Sequence, residues 1–162
     1  MFATPTGKIE IFSSALELVG ANPLPVYIEP ERSPKSSSKQ FLKKYPIILS
    51  TGHRNYYYVH SQFRGVEALN AEVPNPVAEM GLATGRRFGL TDGDDIVIET
   101  NRGQAKMKLA LDERVAEGCI FVPHGWSGEA NANLLTDTDC REETLGYPDV
   151  KSLMCSVRRA YV

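Results

Sequence analysis

The 162 residues are 42% hydrophobic with a formal net charge of −2, which allows one well-buried core and excludes the basic surface that grips nucleic acid. No apolar run approaches the roughly 20 residues that span a bilayer. Met1-Phe2-Ala3-Thr4-Pro5 leads into Lys8 and Glu10 rather than into the apolar stretch of a signal peptide, and the compartment stays open.

Thr4-Pro5-Thr6-Gly7 opens the chain with a turn, and residues 8–12 follow as a short strand with Ile9 and Ile11 on one face. Ser14, with Glu17 three residues on, makes a capping box for a short helix. Leu16 and Val19 give that helix an apolar side, and Gly20 stops it. The prolines at 23, 25 and 30 then keep the chain extended. Ser33-Pro34-Lys35-Ser36-Ser37-Ser38-Lys39 begins a solvated linker that runs to residue 44. Residues 1–32 are therefore expected as an arm left from a preceding domain, 33–44 as linker, and 45–162 as the main domain.

From residue 45 short strands crowd together. Pro46-Ile47-Ile48-Leu49 is the apolar part of a buried strand. Residues 77–80 read as a strand, and 82–90 as a weak helix, because Gly85 and Gly89 lower its propensity. Residues 95–100 and 104–111 flank Asn101-Arg102-Gly103, a three-residue hairpin loop with glycine where a left-handed residue is expected. In the second of these strands Ala105, Met107, Leu109 and Leu111 alternate with Gln104, Lys106, Lys108 and Ala110, giving one buried and one wet face. Cys119-Ile120-Phe121-Val122 is a further strand ended by Pro123, and residues 154–161 close the sheet. Many short strands with no sustained helical period make a mainly β fold with short helices, a closed barrel.

Chemistry concentrates where the first barrel strand ends. Ser50, Thr51, Gly52, His53 and Arg54 replace the apolar run, and His60-Ser61-Gln62 with Arg64 follow. Glycine lets backbone N–H groups approach a ligand, and the guanidinium fork suits phosphate or a planar heterocycle. His53, His60 and His124 match no metal-ligand spacing, so no metal site is read from them. Cys119, Cys140 and Cys155 are odd in number and form no C-x-x-C pair, so they read as interior thiols rather than iron–sulfur or zinc ligands. Ser50-Thr51-Gly52 lacks the aspartate of an aspartic-protease loop, and no nucleophile elbow, P-loop or dinucleotide glycine motif occurs. No catalytic residue is expected in this chain.

Several segments in one order resemble the carboxy-terminal cofactor-binding domain of the molybdopterin oxidoreductases, the dimethyl-sulfoxide-reductase superfamily. They are Thr6-Gly7-Lys8-Ile9-Glu10, Thr51-Gly52-x-Arg54, His60-Ser61-Gln62-x-Arg64 and Glu79. After these come Gly89-Leu90 with Gly93-Asp94, Glu99-Thr100-x-Arg102-Gly103, His124-Gly125-Trp126 and Asn131-Ala132-Asn133-Leu134-Leu135-Thr136. The branch it looks most like holds thiosulfate or polysulfide reductases, arsenate reductases and acetylene hydratase. Ser127 departs from the pattern where a second aromatic is common, as does Gly81-Leu82 where His-Pro or Asn-Pro is.

The resemblance implies a six-stranded double-psi β-barrel that binds molybdopterin guanine dinucleotide, carrying molybdenum or tungsten as the bis-dinucleotide in a full enzyme. Thr51 and Ser61 would contact pterin or phosphate, and Gly52 would clear room. Arg54 or Arg64 would neutralise pyrophosphate, His60 would donate to a pterin atom, and Asn131 and Asn133 would meet a purine or pterin edge. His53, Gln62 and His124 complete the expected set. Metal and iron–sulfur ligands lie in other domains of that family, so the partners implied are the remaining domains of a catalytic subunit and an iron–sulfur electron-transfer subunit. The chain starts within the family's Thr6-Gly7-Lys8 lead-in, as a piece of a longer protein would. The rival expectation is a stand-alone barrel acting as a protein-binding adaptor.

Overall fold

Six strands close into a barrel: β1 (Ile47–His53), β2 (Val77–Gly81), β3 (Asp95–Glu99), β4 (Gln104–Asp112), β5 (Cys119–Pro123) and β6 (Leu153–Arg159). The computed structural model describes residues 1–57, 59–139, 141 and 146–160, so Cys140 and the end of the last expected strand lie outside the described residues. Around the barrel the order is β1-β5-β2-β4-β3-β6. β5 therefore lies between β1 and β2, and β4 between β2 and β3. The β1–β5 and β2–β4 pairs are parallel and the other four antiparallel, which is the double-psi arrangement. No helix among the described residues is long and apolar enough to cross a membrane.

Alternation drives closure. Ile47, Leu49, Met80, Ile96, Ile98, Leu109 and Ile120 are almost wholly buried and form one cluster inside the barrel. On β4, Ala105, Met107 and Leu109 point in while Gln104, Lys106 and Lys108 point out, as the period-two pattern requires. The Gly93-Asp94 step locks three elements together. Gly93 is left-handed (φ 80°) and donates to Leu109 O at 2.8 Å, while Asp94 Oδ2 accepts from Arg159 Nη2 of β6 at 2.7 Å.

Gly103 departs from expectation. It is absent from the left-handed glycines; its missing Cβ instead makes room for Leu134 O, which would stand 2.7 Å away. The weak helix forms as Leu82–Arg87, with Gly85 chosen by packing, since a Cβ there would meet Leu111 Cδ2 at 2.6 Å. A helix at Glu67–Glu72 went unforeseen because Val66 at its N-cap supplies no side-chain acceptor.

The first 44 residues differ more. No strand forms over residues 8–12, and Ile9 and Ile11 are exposed. A closed barrel has no free edge for another strand to join, so Glu10 turns back to accept from Thr6 N and Oγ1 instead. The short helix is Ser14–Leu18, capped by Ser13 rather than Ser14. The expected linker is partly helical: Ser38 caps a helix over Lys39–Lys44, and Ser33 is buried. Serines that look like solvated linker serve as caps and turn acceptors.

Arg32 donates to Asp137 Oδ2, tying the first segment to the loop after β5, and Asn101 Nδ2 joins them at 3.3 Å. The Asp139 N–H and then Arg32 hold the Asp137 carboxyl down at about 2. A depressed carboxylate stabilises the fold above its unfolded value and loses that contribution as pH falls. Thermal stability is thus expected to drop between about pH 4 and about pH 2. Asp137→Asn should flatten the melting-temperature profile in that window; an unchanged profile would show that the pair carries no such linkage.

Candidate functional site

Strand β1 pairs regularly with β5 from Ile48↔Cys119 to Thr51↔Val122, then skips so that His53 faces Pro123. The extra residue is Gly52 at φ 100°, a bulge that only glycine adopts without strain. A Cβ on Gly52 would also stand 2.7 Å from His124 Nε2. Alternation without the bulge would send His53 into the core with Ile47, Leu49 and Thr51; with it, His53 comes out onto the barrel wall. There its ring stacks on Phe121 (centroids 6.5 Å apart, 15° between planes) and Nε2 lies 3.1 Å from Glu79 Oε1.

A cleft of about 240 Å³ opens at this end, between the segment after β1, the start of β2 and the end of β5. His53, His60 and His124, all the histidines of the chain, line it, together with Arg54, Glu79 and Trp126. His60 and His124 meet edge to face with centroids 5.2 Å apart. Burial first, then electrostatic repulsion from His60 and Arg54, lowers the pKa of His124, so near neutral pH it offers a donor and an acceptor rather than a charge. His60 is left-handed (φ 53°) despite its side chain, and its Nδ1 is buried with no protein partner. Strain of this kind, roughly 1–2 kcal/mol, persists where surrounding structure holds it.

Arg64 does the holding. Its guanidinium sits 4.1 Å over the Trp126 ring, with Nη2 donating to Gly125 O and, at 3.4 Å, to His60 O. It clasps the 59–64 segment to the 124–126 turn. Gly125 (φ 80°) permits that contact, since a Cβ there would stand 2.8 Å from His60 C.

Of the residues expected from sequence, His53, Arg54, His60 and His124 come together at the cleft, with Gly52 beside them. Thr51 is buried and spends its hydroxyl on Val150 O at 3.2 Å. Ser61 and Gln62 are exposed and do not line the cleft. Asn131 and Asn133 lie near the β3–β4 hairpin at the same barrel end, outside the lining, where Asn131 Oδ1 accepts from Asn133 N at 3.0 Å. Sequence reasoning passed over Asn55, Tyr56, Tyr57 and Asn75, which also line it. The run Asn55-Tyr56-Tyr57 directly after Arg54 was the available signal, because exposed aromatics beside a cation commonly flank a ligand.

Comparison with known proteins bears on the family and the fold. Residues 47–154 match the molydopterin dinucleotide binding domain model. Acetylene hydratase of Syntrophotalea acetylenica is 38% identical over 128 residues, covering 78% of this chain and 17% of that protein. Dimethyl sulfoxide reductase DmsA of Escherichia coli is 31% identical over 134 residues, covering 75% of this chain and 16% of that one. The solved acetylene hydratase from Pelobacter acetylenicus superposes with a TM-score of 0.82 at 30% identity, over 98% of this chain and 24% of that one. The chain thus spans under a fifth of the length of these two curated relatives. It belongs to the molydopterin dinucleotide binding domain family, within the dimethyl-sulfoxide-reductase superfamily.

Proposed function

We propose that the three-histidine cleft holds one stretch of molybdopterin guanine dinucleotide, and that the chain serves as the cofactor-binding domain of a larger molybdenum or tungsten catalytic subunit. In this reading residues 1–32 are an arm against the rest of that subunit, 33–44 a connector, and 45–162 the binding barrel. Supporting it most directly is His60: a strained backbone and a buried, unpartnered Nδ1 beside Arg54 form a site that awaits a polar ligand.

The residues present fit the cofactor. Its pyrophosphate needs a cation, which Arg54 supplies from an exposed position. Its heterocycles need in-plane donors and acceptors, which the histidines, Asn55 and Asn75 supply. A volume of about 240 Å³ suits one end of the dinucleotide rather than all of it. The bound cofactor supplies the redox chemistry. The chain's own work is to bind and orient, with neutral His124 adding no charge of its own and the Arg64 clasp keeping the two walls at fixed spacing.

Calorimetric titration of the chain with guanosine diphosphate, and separately with a reduced pterin, tests this. Binding of at least one is expected, with His60→Ala and Arg54→Ala each weakening it by about tenfold or more, as loss of a charge-assisted or buried hydrogen bond implies. Wild-type affinity in both variants would move the ligand out of this cleft.

A further inference from the structure

On β2, Ala78 and Met80 point into the barrel while Val77 and Glu79 point out, and both outward residues line the cleft. Glu79 stands in register between Phe121 of β5 and Ala110 of β4, so neither neighbouring strand meets it with a polar side chain. The packing leaves its side chain only 29% exposed. Among the described residues no donor forms a hydrogen bond with it: His53 Nε2 comes within 3.1 Å of Oε1 but lacks the alignment. Arg114, whose guanidinium feels the Glu79 charge, turns its Nε and Nη2 to Asp112 instead. A carboxylate drawn partly out of water with no protein donor costs the fold stability. It also repels any phosphate placed beside it. A cleft shaped only for pyrophosphate gains nothing from such a group; one that takes a heterocycle rich in N–H donors does.

We infer that Glu79 is a specificity-determining residue of the cleft: its two carboxylate oxygens accept from the ring N–H and the 2-amino group on the 2-amino-4-oxopyrimidine edge common to pterin and guanine. The inference rests on the cleft binding the dinucleotide. Those two donors project in parallel from neighbouring ring positions, which a carboxylate meets with two parallel hydrogen bonds. Val77, on the same face of β2, gives the ring an apolar surface. Arg54 is exposed and Glu79 half-buried, so the heterocycle turns inward and the pyrophosphate outward, its charge kept toward water. An adenine edge, with a lone pair in place of the ring N–H, would face the carboxylate with repulsion.

Calorimetric titrations with guanosine diphosphate, with a reduced pterin and with inorganic pyrophosphate, run separately, test both ends of this arrangement. The first two identify which heterocycle the edge belongs to. Glu79→Gln is isosteric but gives up the charge and one acceptor. It should weaken that heterocyclic probe by about tenfold or more, while pyrophosphate, relieved of a repelling charge, binds at least as well as to the wild type. Arg54→Ala should weaken pyrophosphate. The analogue without the 2-amino group, inosine diphosphate or the corresponding pterin, should bind the wild type about tenfold more weakly than its parent, and Glu79→Gln should no longer tell the two apart. Equal affinities of wild type and Glu79→Gln for the heterocyclic probe, or discrimination that survives the substitution, overturns the role of Glu79 and leaves the cleft standing. A matching loss of pyrophosphate in Glu79→Gln overturns it as well, since the substitution then acts on the walls. Pyrophosphate binding that ignores Arg54→Ala overturns the outward placement. Failure of both heterocyclic probes to bind the wild-type chain overturns the cleft itself, and this inference with it.

Discussion

Replacing Gly125 by alanine is expected to cost the cleft its ligand affinity while the barrel stays folded. Two effects add at this position. The left-handed backbone (φ 80°) strains any residue with a Cβ, by roughly 1–2 kcal/mol. The new methyl would also stand 2.8 Å from His60 C, 3.0 Å from Ser61 N and 3.1 Å from His60 O. All three are backbone atoms, so no side chain can swing away to relieve the contact; the 59–64 segment must move as a whole. That movement pulls His60 O off Arg64 and Gly125 O out of reach of the same guanidinium, opening the clasp. Binding of guanosine diphosphate or reduced pterin should fall by more than about tenfold, since even one lost charge-assisted hydrogen bond is worth that much.

Gly128 supplies the control. It is also left-handed (φ 65°), but a Cβ there meets nothing within 4 Å. Gly128→Ala therefore carries the backbone strain without the collision. Comparable melting temperatures for the two variants, with binding lost only in Gly125→Ala, would locate the effect in the clasp. Equal binding by both would mean that the 59–64 segment does not shape the site.

The barrel was legible in the sequence where burial alternates. The period-two pattern over Gln104–Asp112 and the apolar run before Pro123 set strand positions to within a residue or two. The first residues were less so, because their apolar side chains signal contact without saying with what: Ile9 and Ile11 alternate as a strand would, yet no partner strand of the barrel stands open to them. At the site, the polar end of β1 announced itself, but the bulge did not. Thr51 and His53 sit two apart and on a regular strand would share a face; Gly52 separates their fates, one spent on Val150 inside and one brought to the cleft. Arg64 and Arg54 look alike in sequence as candidate phosphate contacts, and only the carbonyls and the indole around Arg64 show that it secures the walls. Motif order gave the family resemblance; three-dimensional crowding decides which motif residues line the cleft.

Ile120 and Phe121 are adjacent on β5 yet should fail in opposite ways when truncated. Ile120 points inward, wholly buried, between its register partners Leu49 on β1 and Met80 on β2. Every strand of the closed barrel leans on that interior, so a cavity there has no edge toward which it can collapse. Ile120→Ala is expected to destabilise by about 2–5 kcal/mol. That is a large part of the roughly 5–15 kcal/mol that holds a typical domain. At about 2–4 °C per kcal/mol for a chain of this size, the melting temperature should fall by about 4–20 °C. Phe121 points outward beneath His53, and Phe121→Leu keeps the wall covered while removing the ring on which the imidazole stacks. Its melting temperature should move by under about 6 °C, in line with an apolar swap of less than about 1.5 kcal/mol. The ligand readout should invert this order. Measured well below its melting point, Ile120→Ala should bind as the wild type does, because its side chain never reaches the cleft. Phe121→Leu should weaken whichever probe depends on His53. Loss of both stability and binding in Ile120→Ala at low temperature would show that core and site are coupled, and that the bulge at Gly52 draws its geometry from the packing behind it.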